Sequence, residues 1–205
     1  MLAGPALALL LSQSRPLCPP EGDGGDRLLN AQKNRIADPG SVETIDVASL
    51  LALPRRYAVP RWRDRWPRRV AREIAGEEAR GVALEGWLLI ARQSGPESCN
   101  CHSRSRRDFH LWIGAEPAAD YLDAKMKRAG AVIVEMTPGV RDLHPGWRLR
   151  RLERLAHDRA RVRVRGWLMY DPEHPEQLDR TRGTLWEVHP VTGFAVWSGG
   201  RWVEL

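Results

Sequence analysis

The stretch GPESCNCHSRSRRDFH, residues 95–110, places Cys99, Cys101, His102, Asp108 and His110 within sixteen positions, together with Glu97 and three arginines. Thiolate and imidazole are donors that zinc favours, which makes Cys99, Cys101, His102 and His110 weak candidate metal ligands. Their spacing does not favour a structural zinc site. Such sites join two separated donor pairs, whereas Cys-x-Cys-His crowds three donors into four positions and no second cysteine pair exists. A different reading draws on Asp108, His110, Asp171, His174, Glu187 and His189. Residues two apart on a strand share a face, so Asp108 lies with His110 and Glu187 with His189. Gathered at one end of a barrel, these carboxylates and imidazoles could move protons or hold a divalent metal for nuclease-like hydrolysis. The simpler alternative is that they are hydrogen-bonded strand ends. Glu135, flanked by apolar residues in VIVEMTP, is expected to be partly buried and to need a partner, with Arg182 and Arg141 as candidates. The sequence has no phosphate-binding glycine loop, dinucleotide fingerprint, Cys-x-x-Cys pair or serine-hydrolase signature. No cofactor is expected beyond a possible divalent metal.

A second chemistry is the binding of anions. The segment RRYAVPRWRDRWPRR, residues 55–69, interleaves seven arginines with Tyr57, Trp62 and Trp66. Arginine pairs with phosphate and aromatic rings stack on unpaired bases, so Arg61, Trp62, Arg65 and Trp66 are candidate contacts to single-stranded nucleic acid. Arg104, Arg106, Arg107, Trp112 and Arg182 form a second such group. Trp62 and Trp66 are also four apart, a spacing that would simply dock a helix and leave the arginines solvated. The formal charge of +6 favours an acidic partner. Nearly all of it is arginine, since Lys33, Lys125 and Lys127 are the only lysines, a bias that a GC-rich genome also produces.

The elements that must position these residues follow from periodicity. Residues 1–25 read as a leader: the apolar run at residues 6–11 resembles a short signal core, has no basic residue before it, and is too short to span a membrane. Cys99 and Cys101 are too close to bridge each other easily. In an exported chain Cys18 could pair with one of them, and export is slightly favoured. Residues 26–80 read as a helical extension. Asp26 caps a first helix, TIDVASLLALP forms a second around Asp46, and Pro67 starts a third over residues 68–78. From residue 82 the period becomes strand-like. Strands are expected at 82–91, 109–114, 131–138 and 161–171, with a last one over 184–197 bent near Pro190. One helix, starting after Pro145, separates the third strand from the fourth.

The fold class is therefore mainly β (α+β). Three strands, a helix and two strands over residues 82–205 resemble the OB-fold, a five-stranded barrel. VALEGWLL and VRVRGWLM share the pattern V-x-[LV]-x-G-W-L-[LM], which suits neighbouring first and fourth strands that coil at glycine. Trp87 and Trp167 would then face outward, beneath the helical extension. The resemblance implies a binding module whose ligand lies between the loops at residues 92–108 and 171–182. Single-stranded nucleic acid or another anionic polymer is the expected ligand, and a protein-interaction module is a further alternative. The two loops carry opposed charges and are expected to contact each other.

Overall fold

A computed structural model describes residues 18–205. The apolar run of the leader lies outside those residues. In the extension, Asp26 caps α1 (Arg27–Lys33) by accepting hydrogen bonds from the N–H groups of Leu28 and Leu29. The segment read as a second helix divides instead. β1 (Glu43–Asp46) runs parallel to residues 82–85, and Asp46 then caps α2 (Val47–Leu51). Thr44 and Ile45 are β-branched and suit an edge strand, which the helical reading overlooked. Pro67 sets the start of α3 (Arg68–Glu78), whose Ile74 and Glu78 are buried.

The barrel strands are β2 (Gly81–Gln93), β3 (Phe109–Gly114), β4 (Val132–Met136), β5 (Arg161–Tyr170) and β6 (Trp186–Ser198). They pair in the order β2–β3–β4–β6–β5, and β5 returns to β2 to close the barrel. The β4–β6 pairing is parallel and the others are antiparallel. This closed mixed barrel is consistent with the OB-like reading. The two repeated motifs lie side by side, with Val82 opposite Gly166 and Gly86 opposite Val162. Both glycines mark close approaches. A Cβ on Gly86 would sit 2.5 Å from Ile113 Cγ2, and one on Gly166 would sit 2.3 Å from the Pro190 carbonyl oxygen. Alternate residues Val82, Leu84, Val162, Val164 and Leu168 fill the barrel with Val134, Val188 and Phe194.

Three features add to the expected order. α4 (Tyr121–Lys127) is inserted between β3 and β4 and covers a smaller cluster containing Leu89, Ile90, Trp112 and Ile133. Both α5 (Pro138–Arg141) and α6 (Leu149–His157) lie between β4 and β5, where one helix was expected. β6 continues through Pro190, then turns at Gly199 and Gly200, both at positive φ, into β7 (Arg201–Glu204). Trp167 is covered by the extension: its indole N–H donates to Ala37 O at 2.8 Å, and Arg35 stacks 4.6 Å from the ring centroid. Leu89 is instead covered by α4.

Candidate functional site

Two irregular segments meet over one end of the barrel, residues 94–108 between β2 and β3 and residues 171–185 between β5 and β6. A disulfide fastens the first to the chain's N-terminal segment, with Cys18 and Cys101 5.7 Å apart at Cα. The backbone N–H of Asp23 donates to Ser98 O, and the His102 ring contacts Asp23 O at 2.9 Å. Held in that disulfide, Cys101 has no thiolate to offer a metal, and among the described residues Cys99, His102 and His110 do not converge on one point. Cys99 is a buried free thiol, and burial, reinforced by Asp108, pushes its pKa up strongly.

Between the two segments lies a cleft of about 730 Å³, within the size range of small-ligand sites. Lys33, Arg61, Arg92, Arg107 and Arg182 line it, against the acidic Glu97 and Glu173. The segments do not pair directly as their charges suggested. Lys33 of α1 lies between them, with Nζ 3.8 Å from Glu97 and 3.2 Å from Glu173. Burial disfavours the ammonium, but Asp171, Glu97 and Glu173 outweigh it and raise the Lys33 pKa well above the ordinary value.

Below the cleft lies an ionic network on the outer face of β3, β4 and β6, the face opposite Val134 and Val188 of the barrel core. Register places His110 of β3 opposite Glu135 of β4, and the parallel β4–β6 pairing brings Glu187 and His189 alongside. His110 Nε2 lies 3.2 Å from Glu135 and 3.4 Å from Glu97. His189 Nδ1 lies 3.3 Å from Glu135 and 3.4 Å from Glu187. Arg182 Nη1 joins Glu187 at 2.5 Å to Asp171 at 3.0 Å. Asp108 is fully buried and accepts from Asn100 Nδ2 at 3.0 Å.

Charge within this network is redistributed by burial and by neighbouring groups. Burial opposes the His110 cation, but Glu135 and Glu97 prevail and push its pKa up to about 10. The same opposition, with Glu135 and Glu187 prevailing, raises His189. Burial would raise Glu135, yet His110 and His189 hold it well below the usual carboxylate range. Asp108 is pushed up to about 6, by burial first and then by Glu97. Adjacent carboxyls thus differ in acidity, an arrangement that can store or exchange a proton.

Four of the six candidate acid/base residues converge here: Asp108, His110, Glu187 and His189. Asp171 joins them through Arg182. His174 stays apart on the cleft rim, exposed and 3.5 Å from Glu176. Glu135 takes histidine partners and not arginine: Arg182 is held by Asp171 and Glu187, while Arg141 donates to Arg107 O and stacks on Phe109. The candidate anion contacts divide. Arg107 and Trp112 reach the cleft, but Trp112 is almost fully buried and donates its indole N–H to Thr181 O. Arg106 pairs with Asp142, and Arg104 is exposed. Arg61 is held by Glu173. Trp66 is buried and donates to Pro60 O, and Trp62 and Arg65 remain exposed. Glu97 and Lys33 were not singled out from the sequence. Glu97 lies within the densest polar stretch, and Lys33 is the only lysine before residue 125.

No family model matches this chain, and neither the curated proteins nor the solved structures compared with it give a match. Among the described residues, no helix is long and apolar enough to cross a membrane.

Proposed function

We propose that the chain is an OB-type binding module that takes a short anionic segment in the cleft between residues 94–108 and 171–185. A phosphorylated end of a single-stranded nucleic acid has the required chemistry. The observation that carries this reading is the pair Arg92 and Arg107 on the cleft wall, since Lys33, Arg61 and Arg182 are already held by carboxylates. The position supports it too, because OB-type barrels take ligands beside these two loops. Among the described ion pairs, Arg92 and Arg107 have no carboxylate partner. Arg92 stacks 4.6 Å from the centroid of Trp112, and Arg107 donates to Gln93 Oε1 at 2.6 Å. Both are placed to meet a phosphate. A compact ligand is favoured over a long strand, because Trp66 and Trp112 are buried and offer no open stacking platform. The Cys18–Cys101 disulfide supports an oxidising compartment, and with it export.

The test is anisotropy of a labelled, 5′-phosphorylated short oligonucleotide across a salt series. Affinity is expected to fall as salt rises. Arg92→Ala and Arg107→Ala should each weaken binding roughly tenfold, the scale of one charge-assisted hydrogen bond, and Arg65→Ala should leave it unchanged. Salt-independent binding, or equal loss at Arg65, would contradict the proposal.

A further inference from the structure

We infer that Glu97, His110 and Glu135 form a site for one divalent cation of the zinc or manganese class at the floor of the cleft. The first support is spacing. Four ligands held tetrahedrally at metal distances of about 2.0–2.1 Å lie roughly 3.3 Å from one another. His110 Nε2 is 3.4 Å from Glu97 Oε1 and 3.2 Å from Glu135 Oε2, and the three ligand atoms all lie within 4.8 Å of one another. These contacts are close in distance but poorly directed for hydrogen bonding, so His110 Nε2 is buried without a hydrogen-bond partner.

The second support is charge. Glu97 and Glu135 converge on one imidazole nitrogen, and a divalent cation that displaces its proton would hold both carboxylates at once.

The third support is access. Among the described residues, two other groups could gather donors around an ion, Glu97 with Cys99 and Asp108, and Asp108 with Glu135 and His189. The first depends on a thiol that burial keeps protonated, and all three residues of the second are buried. In the Glu97–His110–Glu135 group, both Glu97 and His110 line the cleft, so a hydrated ion can reach them from solvent. Two carboxylates and an imidazole suit zinc, manganese or ferrous iron better than a soft thiophilic metal. The inference is independent of the anion reading, since it concerns the floor of the cleft and not the arginines of its wall.

The experiment is calorimetric titration of chelator-treated full chain with Zn²⁺ and, separately, Mn²⁺. One ion per chain is expected. Glu97→Gln and His110→Asn should each weaken binding by roughly tenfold or more, whereas the surface controls His102→Asn and His174→Asn should not. Absence of one-to-one binding by the unsubstituted chain, binding that survives both site substitutions, or loss confined to the controls would overturn the inference. Should a site variant fail to fold, the unsubstituted chain decides. Mn²⁺ should selectively broaden the His110 ring signals, and uniform broadening or none would overturn the inference. Oligonucleotide binding measured in chelator reports on the cleft wall alone, so failure of one reading is distinguishable from failure of the other.

Discussion

Two buried ionic networks lie close together in this molecule and are built differently. Under α3, one guanidinium meets one carboxylate. Arg63 Nη1 and Nη2 donate to Glu78 at 2.8 and 2.7 Å, Nη2 also reaches Tyr170 O, and Glu78 accepts the Tyr170 and Gln32 N–H groups. Below the cleft, carboxylates and cations are shared: Glu135 meets both His110 and His189, Glu187 meets His189 and Arg182, and Arg182 also meets Asp171. A buried charge is tolerated when it is matched and hydrogen-bonded. The first network matches one guanidinium to one carboxylate and closes a seam between the extension and the barrel, although Arg63 Nε keeps no hydrogen-bond partner among the described residues. The second spreads its charge over several groups and opens onto the cleft through Glu97 and His110.

The largest expected effect tests the matched network. Arg63→Met leaves the Glu78 charge buried and unpaired, and should cost about 3–5 kcal/mol in urea denaturation. A loss below about 1 kcal/mol would show that this pair does not close the seam. The smaller effect tests the shared network. Glu97→Gln removes a carboxylate whose partners Lys33 and His110 keep Glu173 and Glu135, so stability should change by less than about 1 kcal/mol in the same assay. A loss as large as that of Arg63→Met would make Glu97 a structural ion and erase the contrast.

The sequence made the barrel readable because its strands alternate cleanly and because two glycines recur within one motif. Gly86 and Gly166 each lie where another strand passes too close for a side chain. β1 escaped notice because four residues of strand directly precede a capped helix, and the β6–β7 turn because Gly-Gly alone fixes no register. The site was half legible. Period-two spacing placed Asp108 with His110 and Glu187 with His189, and the fold brought both pairs together. The link between them, Glu135 opposite His110, depends on strand register, which no local pattern carries. The arginine–tryptophan segment shows a related limit. Composition does not say whether an arginine faces a phosphate or a glutamate, and here Arg61 meets Glu173 while Arg63 meets Glu78.

The most direct measurement is a ¹⁵N spectrum of tryptophan and arginine side-chain N–H groups during titration with a short 5′-phosphorylated oligonucleotide. The expected result is movement of the Trp112 indole and the Arg92 and Arg107 Nε–H signals at the cleft, with Trp66, Trp197 and Trp202 unmoved. Movement of Trp62 or of the Trp197–Trp202 hairpin, with the Trp112 signal unchanged, would place the ligand elsewhere and contradict the assignment of the cleft as the site.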